Sequence, residues 1–152
     1  MPAATGTIHI YGPYLRDWWK GLIQPEDAGR YHAVLVSAAY TPDLDADQHY
    51  SDLTAHEIYE GDWPQGGITL TNVAVTLSTG TDSVALTHDP VTAAECTFAT
   101  PAARVAIVDW DSGVDASTRR CAFTWSLTPT LSPVAGPVVV SAPNGLTVGG
   151  YA

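Results

Sequence analysis

Two groups of aspartates have the clearest potential for chemistry in this sequence. Asp43, Asp45 and Asp47 alternate within one polar segment, and clustered carboxylates are typical calcium ligands. An EF-hand loop counted from Asp43 also needs glycine at its sixth position and glutamate at its twelfth, where this chain has Gln48 and Thr54. A calcium site of another type stays open here, although solvated aspartate turns are the more common explanation.

The second group follows an apolar run. It contains Asp109, Asp111 and Asp115, with Gly113 between the last two. Counted from Asp109, the twelfth position is Arg120, so this segment does not have the EF-hand pattern either. Turn formation and a calcium site of another type are again the two interpretations.

Acid–base and nucleophilic chemistry find little support in the residue spacing. His49 and His56 lie near Asp52 and Glu57, but no HExxH or paired-histidine spacing connects them. No serine occupies a G-x-S-x-G motif, and nothing selects a pair of carboxylates for sugar hydrolysis. We therefore expect no enzymatic activity, and we assign no catalytic residue, cofactor or metal site.

The two cysteines, Cys96 and Cys121, both lie in apolar, strand-like runs. Neither belongs to a CxxC or Cys/His cluster, so zinc binding has no support. The sequence favours buried free thiols, and a disulfide between them stays the alternative.

Charge limits the classes of partner. The 152 residues carry a net charge of −10, with six basic residues and a single lysine, Lys20. This balance disfavours nucleic acid and anionic membranes as partners. Charged residues make up only 14% of the chain, against about 25% in an average soluble domain. A surface so poor in charge often lies against partner subunits, and a monomer with a Thr- and Ser-rich surface is the alternative.

The acidic residues are unevenly distributed. Residues 43–62 contain seven of them and no lysine or arginine: Asp43, Asp45, Asp47, Asp52, Glu57, Glu60 and Asp62. This stretch is either a solvated face or an acidic patch that docks on a basic surface, including the basic end of a neighbouring copy. No segment approaches the ~20 apolar residues of a membrane span, and residues 1–6 lack the features of a signal peptide. We therefore expect synthesis in the cytoplasm without export by the general route.

The elements that must position these residues are mostly strands. Apolar residues from Tyr14 to Ile23 recur at helical spacing after Pro13, so the sequence predicts one short helix that Gln24-Pro25 ends. The paired residues Trp18 and Trp19 in it suit either the core or an interface. The predicted strands cover 7–11, 30–38, 68–77 with a bulge at 71–72, 83–87, 92–100, 104–110 and 119–127, with a helical turn at 52–57.

Three further expectations complete the predicted architecture. Residues 73–87 form a hairpin, and Pro143-Asn144-Gly145 forms the turn of a second hairpin between 138–140 and 146–148. Strands 30–38 and 104–110 are apolar on both faces, which indicates central positions. Residues 1–152 are therefore expected to form a single, mainly β domain, a β-sandwich or barrel-like unit with one short N-terminal helix.

Four short motifs occur in a recognisable order. They are VLVSAAYTPD at 34–43, DQHYSDL at 47–53, GGITLTN at 66–72 and RVAIVD at 104–109. This order resembles a group of small virion structural proteins of tailed bacteriophages, in which a strand ending in Tyr-Thr-Pro-Asp leads to an acidic loop. A Gly-Gly-hydrophobic-Thr-Leu strand and an apolar strand ending in aspartate come next in that group. The resemblance covers about half of the chain and departs from the pattern after Trp110.

The resemblance implies a structural role in a virion after synthesis in the host cytoplasm. A capsid decoration (cement) protein that binds the outer shell is the favoured role, and a tail or head–tail component is the alternative. A carbohydrate-binding β-sandwich module, with Trp63 as a stacking residue, is a further alternative. The expected partners are the major capsid protein or other virion proteins and further copies of the chain, with a trimer as the expected assembly. The candidate interface residues are Trp18, Trp19, Trp63, Trp110, Asp43, Asp45 and Asp47.

Overall fold

The protein is mainly antiparallel β structure with one short helix near its N-terminus, which confirms the predicted fold class. The computed structural model describes residues 8–23, 29–78, 83–141 and 146–149. The elements are β1 His9–Ile10, α1 Gly12–Trp19, β2 Tyr31–Ser37, β3 Glu57–Ile58, β4 Ile68–Thr69, β5 Ala74–Ser78, β6 Ser83–Thr87, β7 Val91–Cys96, β8 Ala102–Asp109, β9 Arg120–Leu131, β10 Gly136–Val140 and β11 Leu146–Gly149. Short 3-10 turns cover Tyr50–Asp52, Thr54–His56 and Trp110–Ser112.

The largest sheet has the strand order β1-β9-β8-β2-β3, and β4 also pairs with β2. Strands β2 and β8 are central, as their runs of apolar residues on both faces predict. Their register places Leu35 opposite Val105 and Ala33 opposite Ile107, and all four of these side chains are buried. The core of the protein therefore lies on both sides of this strand pair.

Strand β9 is more buried than its alternating pattern predicts. The alternation places Cys121, Phe123 and Trp125 on the apolar face, and all three are buried. Ala122 and Thr124 lie on the other face, yet both also have no exposed surface. The side chain of Tyr11 interacts with Thr124, and the hydroxyl of Thr124 donates to the carbonyl of Val105 at 2.9 Å. The second face of this strand is therefore not solvated, because the chain before α1 covers it.

The predicted strand over residues 68–77 is in fact two strands in different sheets. Strand β4 pairs with β2, whereas β5 pairs with β6 in a sheet of order β11-β6-β5. Between them Asn72 has a φ of 51°, a left-handed conformation that asparagine tolerates better than most residues. Its side-chain amide donates to Asp89 at 2.5 Å, and the backbone N–H of Asp89 donates to Thr71. A change of sheet, rather than a bulge, therefore absorbs the slip in the apolar pattern.

Of the two predicted hairpins, one is confirmed and one is wrong. Strands β5 and β6 pair as predicted, with the turn residues 79–82 outside the described residues. The described strands that flank Pro143-Asn144-Gly145 do not pair with each other, and that turn itself lies outside the described residues. Strand β10 pairs with β7, where Val138 and Val140 meet Ala93 and Val91, and β11 pairs with β6. All four of these β7 and β10 side chains are buried, so long-range pairing in the core overrides the local turn preference.

The predictions for the cysteines and for the short helical turn can also be compared with the structure. Cys96 and Cys121 are both buried and free, which confirms the favoured interpretation of the cysteines. The helical turn predicted at 52–57 corresponds to the two 3-10 turns before β3. Within the described ranges, no helix is long and apolar enough to cross a membrane.

Candidate interaction surface

Helix α1 ends earlier than its sequence predicts, and this exposes two large apolar side chains. Gly21 adopts a φ of 71°, its N–H donates to Trp18, and the N–H of Leu22 donates to Asp17. These two bonds form a Schellman motif, which ends the helix at Trp19 rather than at Gln24-Pro25. The chain then changes direction, and Trp19 is 84% exposed while Leu22 is 66% exposed.

The opposite face of α1 is fixed to the main sheet. The hydroxyl of Tyr14 lies 2.9 Å from that of Tyr31 and donates to Asp109 at 3.1 Å. The Tyr14 ring also makes an edge contact with Phe123, with ring centroids 5.7 Å apart. The orientation of the helix is therefore set by buried polar and aromatic contacts, and Arg16, Trp19 and Lys20 are exposed to solvent.

A second anchor of α1 is the buried carboxylate of Asp17. Arg16 Nε donates to it at 2.9 Å, and Arg120 from β9 donates to its other oxygen. The hydrogen bond from Arg16 and the charge of Arg120 hold the pKa of Asp17 below its ordinary value. The pocket beside this cluster has a volume of about 50 Å³, which holds only a few water molecules. The cluster therefore ties the helix to β9 and offers little space for a ligand.

Four residues at the C-terminal end of α1 form what we call the cationic aromatic patch: Arg16, Trp19, Lys20 and Leu22. Arg16 lies three and four positions before Trp19 and Lys20, so these side chains share one helical face. All six basic residues of the protein are described, and Arg16 and Lys20 are the exposed ones. The other four are buried or half-buried: Arg30, Arg104, Arg119 and Arg120. The exposed positive charge of an acidic protein is thus concentrated beside an exposed tryptophan.

The predicted aspartates at residues 43–47, which we call the acidic loop, form a well-defined turn. Asp43 Oδ1 accepts the N–H groups of Asp45 and Ala46 at 3.1 Å each. Asp47 Oδ2 accepts the hydroxyl of Tyr40 at 2.7 Å and the N–H of Asp43 at 2.9 Å. Asp43 and Asp45 are exposed and Asp47 is half-buried. These bonds are those of aspartate turns, which favours the turn interpretation over calcium binding.

The second group of aspartates is divided between two local structures. Asp109 has no exposed surface and accepts Arg30 Nη2 at 2.8 Å. Asp115 is exposed, and its Oδ1 accepts the hydroxyls of Ser117 and Thr118. Among the described residues, no group of three or more His, Cys, Asp or Glu side chains is arranged to hold a metal ion.

The wider acidic stretch is interrupted by residues with local roles. Glu57 is buried, so it cannot belong to an exposed patch. Glu60 accepts the N–H of Ala99 at 2.6 Å, and Asp62 accepts the N–H of Glu95 at 3.0 Å. These two bonds attach the loop before β4 to strand β7 and to the chain just after that strand. The acidic loop is therefore the part of the stretch best placed for a partner.

The predicted interface tryptophans have different environments. Trp63 is only 1% exposed and belongs to the core, so its assignment to an interface was wrong. The physical reason is that the turn before it is closed by backbone bonds from Asp62 to Glu95 and from Trp63 to Glu60, which hold the indole inward. Trp18 is half-buried, and Trp19 is the one with a largely free surface.

Trp110 is half-buried and already has aromatic and cationic neighbours. The ring of His32 stacks on it with centroids 4.2 Å apart and planes 1° from parallel. The guanidinium carbon of Arg119 lies 3.7 Å from the ring centroid, which is a cation–π contact. His32 Nδ1 donates to the carbonyl of Gly66 at 3.0 Å, and burial lowers the pKa of this histidine. Trp110 therefore stabilises the end of β8 more than it offers a docking surface.

Sequence reasoning missed three members of the cationic aromatic patch. It assigned Leu22 to the continuous apolar face of a longer helix and gave Arg16 and Lys20 no role. The available indication was Gly21, because a glycine just past the end of a helix is typical of the motif that ends it. No family model, curated protein or solved structure matches this chain.

Proposed function

We propose that this chain is a virion structural protein of a tailed bacteriophage that binds the outer capsid shell as a decoration protein. The observation that carries the proposal is that three of the four motifs shared with such proteins are neighbours in space. Strand β2 contains the start of the first motif, where Leu35 lies opposite Val105 of the fourth. Ala33, the residue just before the first motif, lies opposite Ile68 of the third motif and Ile107 of the fourth.

The motif residues also have structural roles that explain why the pattern takes this form. The tyrosine of the first motif, Tyr40, bonds to Asp47 at the start of the second. Gly67 of the third has a φ of 75°, and a Cβ there would collide with the carbonyl oxygen of Ala33. The aspartate that ends the fourth, Asp109, is the buried partner of Arg30. The motifs therefore describe one folded unit, which supports the resemblance.

The surface also favours polypeptide partners. Five large hydrophobic residues are exposed in the described chain: Trp19, Leu22, Tyr59, Val114 and Val134. Exposed tryptophan and tyrosine are common hot spots of protein interfaces. The charged fraction of 14% leaves the surface less strongly hydrated than that of an average soluble domain.

Immunogold electron microscopy tests the proposal. Antibodies against the chain are applied to purified virions of the phage that encodes it. Labelling distributed over the head supports a decoration protein, whereas labelling confined to the tail or neck favours the tail or head–tail alternative. Virions that carry no copies of the chain, by labelling and by mass spectrometry, contradict a virion role.

A test of the carbohydrate-binding alternative should replace Trp19 rather than Trp63, the residue that the sequence suggests. Trp63 is buried, so its replacement would disturb the core rather than remove a stacking surface. Trp19 is the exposed tryptophan, and sugar rings stack on exposed aromatic faces. Glycan-array binding that disappears in Trp19→Ser would favour this module over the virion role.

A further inference from the structure

We propose that the cationic aromatic patch of one molecule docks on the acidic loop of a second copy, so that copies of the chain associate head to tail. This inference deepens the proposed virion role and rests on it for its biological setting. The two surfaces are those through which copies of the chain bind each other, and this association is measured with the purified chain in the absence of virions.

Charge complementarity identifies the occupant of the patch. Each molecule has a net charge of −10, so two copies repel each other in most orientations. Lys20 is exposed next to Trp19, and the exposed Arg16 shares the single carboxylate of Asp17 with Arg120, so this end of α1 has an excess of positive charge. This end is therefore the region that attracts an acidic surface. A second copy presents such a surface at Asp43 and Asp45, which are exposed and fixed in a turn.

The positions of the two surfaces determine the kind of contact. The N–H of Gly12, the first residue of α1, donates to the carbonyl of Leu44 at 2.8 Å, so the acidic loop adjoins the N-terminal end of the helix. The patch lies at the other end, about 11 Å away along an eight-residue helix. The surfaces therefore do not overlap, and one molecule can use both at once. Such a heterologous contact produces a closed ring if the rotation between successive copies closes, and an open filament if it does not.

Both surfaces are ordered before they meet, which lowers the entropic cost of association. The hydroxyl of Tyr40 holds Asp47, and Asp47 in turn holds the backbone of the acidic loop. The patch is fixed because Tyr14 and Asp17 anchor α1 to the main sheet. We therefore expect the indole of Trp19 to provide most of the affinity and the charges to provide orientation.

The test is sedimentation equilibrium of the purified full chain at about 0.05 M and about 1 M salt. We expect the wild type to associate reversibly, and more weakly at high salt. Trp19→Ser should raise the dissociation constant about thirty-fold, the effect of losing an interface hot spot. Lys20→Glu and Asp45→Lys should each weaken association, because like charges then face each other across the contact. The control Glu95→Lys reverses an exposed acidic charge on β7 and should associate like the wild type.

Charge reversal on both surfaces separates a direct contact from a general effect of charge. The double variant Lys20→Glu/Asp45→Lys should associate again, because its patch and its loop are once more complementary. A mixture of the two single variants should form hetero-oligomers for the same reason. Circular dichroism during thermal unfolding checks that each variant is folded, which is expected because Trp19, Lys20 and Asp45 are all exposed.

Three results would each overturn the inference. They are a wild type that stays monomeric across the accessible concentrations, a Trp19→Ser variant that associates unchanged, and a double variant that does not recover. None of these results affects the labelling of virions, so failure of the head-to-tail contact is distinguishable from failure of the virion role.

Discussion

The buried carboxylate of Glu57 provides a sharp test of how the loop before β4 is held in place. It accepts the hydroxyl of Tyr50 at 2.5 Å and the backbone N–H of Gly66 at 2.6 Å. Burial raises the pKa of Glu57 and outweighs the opposing effect of these two hydrogen bonds. The folded protein therefore binds a proton at this site more readily than the unfolded chain does.

The sign of the resulting pH dependence comes from linkage. A carboxyl group with a raised pKa in the folded state contributes stability that is present below its ordinary pKa and is lost as the pH rises through the raised value. Glu57→Gln removes this titration. The side-chain carbonyl of the glutamine accepts the N–H of Gly66, and its side-chain amide donates to the hydroxyl oxygen of Tyr50, so both partners of Glu57 keep a hydrogen bond. We expect the variant to gain stability over the wild type as the pH rises from about 4 to about 8.

Glu57→Leu measures how much the two hydrogen bonds to Glu57 contribute to the free energy of unfolding, because leucine has similar size but offers no acceptor. Two buried donors, the hydroxyl of Tyr50 and the N–H of Gly66, then lose their partner. At about 1–3 kcal/mol for each unsatisfied group, the variant should lose about 2–6 kcal/mol of unfolding free energy. Asp17 titrates in the opposite sense in every variant, so only differences from the wild type are compared.

The assay is urea-induced unfolding, followed by tryptophan fluorescence at several pH values. A Glu57→Leu variant as stable as the wild type would refute the assigned hydrogen bonds. A Glu57→Gln variant whose stability has the wild-type pH dependence would show that Glu57 does not titrate as its burial requires.

Two further outcomes concern the backbone and the thiols. Gly67 and Gly21 both have positive φ, of 75° and 71°, but only at Gly67 does an added Cβ meet the carbonyl of Ala33. Denaturant unfolding should therefore show that Gly67→Ala lowers the free energy of unfolding by about 3 kcal/mol or more, and Gly21→Ala by only about 1 kcal/mol. Equal losses would contradict the close approach of Gly67 to the carbonyl of Ala33. Burial raises the pKa of both Cys96 and Cys121, so a thiol reagent should modify neither in the native protein and both after unfolding. Rapid modification of the native protein, or a disulfide after unfolding, would be inconsistent with their burial as free thiols.

The parts of the fold that the sequence predicts are those that local pattern determines. The apolar runs of β2 and β8 indicate central strands, and the helical spacing after Pro13 indicates α1. The hairpin at Asn144-Gly145 was predicted from an equally local preference, but its flanking strands found other partners. The local turn preference is outweighed by long-range pairing, as in β10, whose Val138 and Val140 are buried beside β7.

The candidate site depends on tertiary packing, which the sequence alone does not reveal. Trp63 and Trp19 are the same residue type, but one is in the core and the other is exposed. Asp109 was considered as a calcium ligand, whereas its partner is Arg30, far away in the sequence. The end of α1 at Trp19 was predictable from Gly21, the glycine two residues later, and it is the feature that creates the cationic aromatic patch.

Binding of this chain to the outside of a capsid shell is tested most directly with isolated shells. Shells purified from a phage that lacks the gene are mixed with the purified chain and sedimented. We expect saturable binding, with the chain recovered in the pellet at a fixed ratio to the shell protein. A chain that stays in the supernatant at every concentration, while the same shells bind an established decoration protein, would contradict the proposed role.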